Sequence, residues 1–239
     1  MNFRVPTKYR TTSTEIMDDF SLEGEELREA LDKIASINQF LGGNKVTLDG
    51  VKQLLGAISL NETITIVDIG CGNGDMLRTL AQYAEKSGLV FELIGIDANG
   101  FTVNHAQQLS AEYENISFRC EDIFDASFQE VKADLILCTL TLHHFKTEEI
   151  EYLLPLFYRN SRLGIVINDL QRSGLAYRLF QLLCVVFRLN TMSREDGLTS
   201  ILRGFTKEEL IRFSNQMNFN KWSIRWRWAF RYQWIISKL

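Results

Sequence analysis

From residue 64 onward, short apolar runs alternate with stretches whose apolar residues recur every three or four positions. The runs predict strands at 64–69, 91–97, 116–120, 133–139 and 163–169, and the stretches predict helices at 75–86, 99–113 and 147–159. In the first helix Met76, Leu77, Leu80, Ala81 and Ala84 fall on one face. Strands that alternate with helices imply right-handed crossovers and a mostly parallel sheet covered on both faces. The chain ends in "KWSIRWRWAFRYQWIISKL", where period-two alternation and aromatic residues predict an antiparallel hairpin. Trp226, Trp228 and Trp234 are expected in its strand core. Five strands and a hairpin make a seven-stranded α/β sheet.

Two further segments carry helical periodicity outside this alternation. Residues 1–20 are polar with few helix signals, but Leu27, Ala30, Leu31, Ile34 and Leu41 share a face, with Glu23, Glu25 and Glu26 near its start, as the helix dipole favours. Gly42-Gly43 stops that helix, and Val51, Leu54, Leu55 and Ile58 mark another. After the fifth strand, residues 171–204 interrupt the pattern with a helix apolar nearly all round (Leu175, Leu179, Phe180, Leu183, Val186, Phe187), which must be buried or line an apolar cavity. The alternation resumes at "FTKEELIRF", where Thr206 and Glu209 have capping-box spacing and Phe205 and Leu210 that of a hydrophobic staple. The expected organisation is an N-terminal helical cap at 1–58, a core at 59–170 and 205–239, and an inserted lid at 171–204.

Composition narrows the picture. A formal net charge of −4 argues against a general nucleic-acid binder. The four cysteines (Cys71, Cys120, Cys138, Cys184) form no CxxC pair and no zinc-ligand spacing, so they read as reduced thiols of a cytoplasmic protein, and no metal is expected. "MNFRVPTKYR" lacks the apolar run of a signal peptide. The apolar stretch 174–189 is too short to span a bilayer and is interrupted by Arg178, Gln181 and Arg188, so no stable membrane insertion is expected.

The chemistry gathers at "VDIGCGNGDM", where a strand meets Gly70, Gly72 and Gly74 and then a helix. A dinucleotide fingerprint would need its third glycine at Asp75, and no P-loop lysine follows. Acidic residues end each of the first three strand units: Asp68, Asp97 in "GIDAN", and Glu121-Asp122 in "CEDIF". On these motifs the chain resembles the class I S-adenosylmethionine-dependent methyltransferases, over about residues 60–170 and the C-terminal hairpin. The resemblance implies a Rossmann-like fold and S-adenosyl-L-methionine as cofactor. It implies that Asp68 orients the turn and the cofactor's amino end, that Asp97 accepts the ribose hydroxyls, and that Asp122 accepts the adenine amine with the Ile123 backbone beside the ring. Cys71, Asn73, Ala98 and Thr139 complete the implied cofactor contacts, with the three glycines letting backbone approach the methionine part. Competing structural readings remain: Asp97 as a cap for the helix near Asn99, Asp122 as a loop acid, and Asp68 as a structural hydrogen-bonder.

The acceptor is less legible. His143 and His144 follow the fourth strand in "LCTLTLHHF", at the strand end where open α/β sheets bind ligands, and an imidazole there can accept a phenolic proton. A structural turn is the competing reading, and many related methyltransferases share "LHH", including ones that methylate carbon. His105 reads as an exposed helix residue. No Asn-Pro-Pro-aromatic motif follows the fourth strand, against nucleobase methylation. The stretches "TTSTEIMDD", "INQFLGG", "INDLQRSGLAYRLF" and "DGLTSILRGFT" make the chain similar to small bacterial methyltransferases encoded with polyketide, phenolic-lipid and aryl-polyene pathways. That likeness implies O-methylation of a small hydrophobic phenol or hydroxyquinone, with Leu179, Leu183 and Arg203 at the acceptor. C-methylation of a quinone precursor, protein or RNA methylation and non-catalytic cofactor binding stand as alternatives. Arg194, Asp196 and Arg203 read either as polar groups at the cavity mouth or as surface ion pairs. A homodimer is compatible with the sequence.

Overall fold

The computed structural model describes residues 5–56 and 62–239, so Ile58 lies outside the described residues. Seven strands, β1 (Ile64–Ile69), β2 (Phe91–Asp97), β3 (Ile116–Cys120), β4 (Ala133–Thr139), β5 (Ser161–Leu170), β6 (Lys221–Arg227) and β7 (Arg231–Ser237), form one sheet in the order β3-β2-β1-β4-β5-β7-β6. β1 to β5 pair in parallel, and β7 runs antiparallel between β5 and β6. The helices are α1 (Glu25–Phe40), α2 (Gly43–Leu55), α3 (Asp75–Ser87), α4 (Gly100–Leu109), α5 (Thr147–Asn160), α6 (Gly174–Val186), α7 (Thr191–Arg203) and α8 (Lys207–Gln216).

Successive strand residues point to opposite faces, and in β1 and β4 both faces are apolar because both are covered. Val67, Ile69, Ile136 and Cys138 pack under α5 and α8 through Leu153, Phe157, Leu210 and Phe213. Ile66, Leu135 and Leu137 pack on the other side with Val51, Leu54 and Leu55 of α2 and Met76, Leu77 and Leu80 of α3. α2 is therefore a layer of the sheet sandwich. α1 instead packs away from the sheet, where Leu27 and Ala30 meet Met192 of α7.

Local signals explain several boundaries. Gly42 takes a left-handed φ of 75° between α1 and α2, a conformation that glycine adopts without penalty. α4 ends at Leu109, short of the expected 113, because Glu112 and Glu114 would oppose the dipole at a helix C-terminus. α6 departs from its pattern. Ala176 and Cys184 are buried, whereas Leu175, Leu182 and Val185 are exposed (61%, 62% and 74%), so one face of this apolar helix faces outward.

The capping box forms as expected. Thr206 Oγ1 accepts the Glu209 N–H at 3.3 Å, the Glu209 carboxylate accepts the Thr206 N–H at 2.8 Å, and Phe205 and Leu210 share one core. Thr206→Ala should cost about 1 kcal/mol and lower the melting temperature by roughly 2–4 °C. Calorimetric melting checks this, and an unshifted transition would show the cap contributes nothing.

Candidate functional site

β1 leaves the sheet through a turn that side chains could not occupy. Gly70, Gly72 and Gly74 all have positive φ (64°, 53° and 76°), and a Cβ on Gly70 would lie 2.4 Å from Cγ2 of Thr141. The turn is tied to the end of β2, because Asp97 accepts the Gly72 N–H on Oδ2 and the Asn99 N–H on Oδ1, both at 3.1 Å. Asn99, not Asp97, caps α4, accepting the Thr102 N–H at 2.8 Å. Burial pushes the Asp97 carboxyl above the usual carboxylate range.

Asp68, on β1, is fully enclosed, and its Oδ1 has no hydrogen-bond partner. Burial, with Asp75 and Asp97 nearby, pushes this carboxyl up to about 8. A dry carboxylate oxygen without a donor is costly, and a cationic ligand group would satisfy it. Beside it opens a cavity of about 480 Å³ lined by Asp68, Gly70, Cys71, Gly72, Asn73, Asp97, Ala98, Asp122, Ile123 and Thr139. Asp122 accepts the Phe124 N–H at 3.0 Å, Ile123 is buried, and Thr139 pairs with the Thr47 hydroxyl at 3.0 Å. Asn73 donates to Asp32 of α1 at 3.0 Å, and the same Asp32 oxygen lies 2.8 Å from Nε2 of His105. His105 is therefore buried, contrary to the helix-surface expectation, and the Asn73–Asp32–His105 chain ties the glycine turn to α1.

A second cavity, of about 350 Å³, is lined by Ile37 of α1 and Leu41 just after it, Leu179, Phe180 and Leu183 of α6, Ile201 of α7 and the β6–β7 tip at Trp228–Arg231. Met17, Ile34, Asn38, Leu140 and His144 line both cavities, so the two meet there. Leu140 has φ 55°, and Ala229 and Phe230 at the hairpin tip have 62° and 55°, left-handed positions that cost non-glycine residues about 1–3 kcal/mol each. Trp234 is a core residue, as expected. Trp228 is instead 71% exposed beside the cavity, and Trp226 is exposed with its indole N–H donated to Gln171, so neither is strand core.

His143 and His144 occupy a 3₁₀ turn at Leu142–His144, with ring centroids 4.4 Å apart. Nδ1 of the buried His143 lies 2.7 Å from Asp169 Oδ1, and Nδ1 of His144 lies 2.6 Å from Asp18 Oδ1. Glu15 faces both rings, 3.6 Å from His143 Nε2 and 3.8 Å from His144 Nε2. Burial pushes the Glu15 carboxyl up to about 7, against the pull of His144, Ser200 and Arg203. Burial would raise Asp18 too, but hydrogen bonds from His144 and Arg203 outweigh it and hold that carboxyl well below its usual range.

Arg203 is not a surface residue: it is buried and lines the first cavity. Its guanidinium donates to the carbonyls of His143 and His144 and to Asp18, and Nη1 lies 3.5 Å from Glu15 Oε1. Asp196 is also buried, accepting the Ile16 and Met17 N–H groups at 2.6 and 2.9 Å, while Arg194 stays exposed, 3.8 Å from Glu195. Arg10 donates to the carbonyls of His143 and Phe145, both at 2.8 Å. Arg10, Glu15, Asp18 and Asp169 thus belong to the site, although no spacing in the sequence connects them. The stretch "TTSTEIMDD" holds the two N-terminal acids but has no periodicity to place them.

Comparison with known proteins agrees with this geometry. Residues 66–164 match the family model "Methyltransferase domain". The chain is 28% identical over 109 residues to a carboxy-S-adenosyl-L-methionine synthase of Helicobacter pylori, covering 46% of this chain and 44% of that enzyme. It is 27% identical over 179 residues to the protein-lysine N-methyltransferase EFM4 of Saccharomyces cerevisiae, covering 73% and 66%. The chain thus spans under half of the first relative and 66% of the second. Among solved structures, the plantazolicin methyltransferase BpumL in complex with S-adenosylhomocysteine aligns at a TM-score of 0.66 and 16% identity, covering 88% of this chain and 90% of that one. Magnesium protoporphyrin IX methyltransferase from Synechocystis PCC 6803 aligns at 0.55 and 17% identity, covering 82% of each chain. The glycine turn, the acid at each strand end and the sheet order agree with these likenesses: residues 66–164 match the methyltransferase domain family, and the chain has the fold of the solved methyltransferases it aligns with.

Proposed function

We propose that the chain transfers a methyl group from S-adenosylmethionine to the hydroxyl of a small, hydrophobic aromatic acceptor, a phenol or hydroxyquinone. The observation that carries this reading is the meeting of a polar groove and an apolar cavity at Leu140 and His144. When bound, the cofactor supplies an electrophilic methyl on a sulfonium. Asp68 would take the cofactor's amino end, since its partnerless oxygen calls for a cationic donor. Asp97 would accept the ribose hydroxyls through lone pairs not used by Gly72 and Asn99. Asp122 and Ile123 would flank the adenine.

On the acceptor side, Leu179 and Leu183 exclude water and hold an apolar ring. The acceptor proton is lost at the Glu15–His143–His144 cluster, of which His144 is the member facing both cavities. Arg203 acts as a positioning residue. Parts of the N-terminal region within 1–58 and the insertion 171–204 form the cap over this cavity. Among the described residues no helix is long and apolar enough to cross a membrane, and all four thiols are free, which suits the cytoplasm.

C-methylation of a hydroxyquinone is the second reading. It is favoured by the likeness at TM-score 0.58 and 15% identity to the CMeT domain of the citrinin polyketide synthase, covering 78% of this chain and 49% of that one. Incubation with S-adenosylmethionine and a panel of alkylphenols and hydroxyquinones should give methyl ethers, identified by NMR. A new methyl on ring carbon would establish the second reading, and turnover only on a lysine peptide would overturn both.

Three variants test the roles. Asp97→Asn should weaken S-adenosylhomocysteine binding by about 1.5–3 kcal/mol in titration calorimetry, and wild-type affinity would reduce Asp97 to a tie between strands. His144→Ala should slow turnover of a phenol by roughly 100-fold or more with little change in cofactor affinity, and an unchanged rate would remove it from the reaction. Asp68 must ionise to meet an ammonium, so cofactor affinity should fall as pH drops below about 8, by up to about tenfold per unit. For the unliganded protein the sign is opposite. The folded state binds more protons than the unfolded one between the ordinary aspartate range and about 8, so Asp68's contribution to stability declines as pH rises through that window. Asp68→Asn should flatten both profiles, and persistence of the affinity slope in that variant would assign it elsewhere.

A further inference from the structure

We propose that Glu15, His143 and His144 bind one divalent transition-metal ion through a carboxylate oxygen and two imidazole Nε2 atoms. The candidate donor atoms all lie within 4.8 Å of one another. Each imidazole is backed on its other nitrogen by a carboxylate, Asp169 at 2.7 Å behind His143 and Asp18 at 2.6 Å behind His144. A carboxylate at Nδ1 holds the proton there and leaves the Nε2 lone pair free, the arrangement that orients metal-binding histidines. His143 Nε2 then faces Glu15 Oε1 at 3.6 Å with no donor between them, and His144 Nε2 lies 3.8 Å from Glu15 Oε2, which also accepts from the Ser200 hydroxyl at 2.7 Å. His143 Nε2 and Glu15 Oε1 are buried without any hydrogen-bond partner.

A buried acceptor facing another acceptor is repulsive, and a cation between them removes the conflict. A proton does not suffice. At 3.6 Å it cannot bridge His143 Nε2 and Glu15 Oε1 as a hydrogen bond. A metal about 2.0–2.2 Å from each donor places donors roughly 3–3.6 Å apart, so each imidazole–carboxylate pair needs to close by only a few tenths of an ångström. The cation facing Glu15 from α7 is Arg203, with Nη1 3.5 Å from Oε1, but it spends its donors on Asp18 and two carbonyls. Asp18, Asp169 and Asp196 surround the cluster with negative charge.

Two imidazoles and one carboxylate suit zinc, manganese, cobalt or ferrous iron rather than magnesium or calcium, which prefer all-oxygen sites. Three protein ligands leave coordination positions open toward the cavities that His144 lines. If the acceptor reading holds, on which this clause rests, an acceptor hydroxyl completes the coordination and loses its proton to solvent more readily there. The absence of zinc spacing in the sequence does not bear on this site, since Glu15 comes from the opposite end of the chain.

The test is titration of Co²⁺ and Zn²⁺ into chelator-treated full-length protein, followed by calorimetry and by the visible absorption of cobalt. The expected result is one ion per chain. Glu15→Gln and His144→Gln should each weaken binding by at least about 100-fold, and Asp169→Asn by roughly 10–100-fold, the usual loss when the group behind a histidine ligand is changed. Thermal melts identify variants that remain folded, and the partly exposed His144 is the ligand least subject to that difficulty. Absence of cobalt and zinc binding by the wild type, or wild-type affinity in both Glu15→Gln and His144→Gln, overturns the site. Metal binding as expected, with no methylated phenol formed, upholds the site and sinks the acceptor reading alone.

Discussion

The guanidinium of Arg203 ties together three parts of the chain that are far apart in sequence. It donates to the carbonyls of two consecutive histidines after β4, pairs with Asp18 from the N-terminal segment, and is itself carried on α7 of the insertion. Removing one partner of a buried charge pair typically costs about 3–5 kcal/mol, because the other charge is stranded. Without this clamp, Glu15 and Asp18 would be held to the histidine turn only by the imidazoles themselves.

The site concentrates unpartnered polar atoms and left-handed backbone, while the sheet holds buried unpartnered atoms at Asn168, Ser223 and Trp234. Asp68 Oδ1, Glu15 Oε1 and His143 Nε2 are buried acceptors without donors, and Leu140, Ala229 and Phe230 hold left-handed backbone at the cavity walls. These are expenses of about 1–3 kcal/mol each, set against a sheet whose β1 and β4 are apolar on both faces. Such strain and unpaired polarity gather where ligands bind, because a ligand supplies what the protein withholds. The polar groove lacks a cation at Asp68, and the histidine cluster lacks one between Glu15 and its two rings.

Local physics made the core readable. The strands at 64–69, 91–97, 116–120 and 133–139 fall where the apolar runs put them, including the edge strand β3, whose Ser117 and Arg119 are exposed. The Thr206–Glu209 box and the three glycines are equally local, fixed by side chain and backbone within a few residues. Legibility failed where partners are distant. His105 looked like a surface residue because Asp32, its partner, lies on another helix. Glu15 and Asp18 sit in a polar stretch without periodicity, and only α7 and the histidine turn give them a role. α6 was misjudged for a different reason. Its composition is apolar all round, but composition cannot say that only the face bearing Ala176, Leu179, Phe180 and Leu183 meets the cavity.

The account's central claim is that the cofactor groove and the apolar cavity meet at Leu140 and His144. Diffraction from crystals grown with S-adenosylhomocysteine and an alkylphenol tests it most directly. The account predicts the sulfur atom at that junction, the phenol hydroxyl directed toward it, and the alkyl chain against α6. A sulfur atom turned away from His144, or a ring seated anywhere but between α1, α6 and α7, would contradict it.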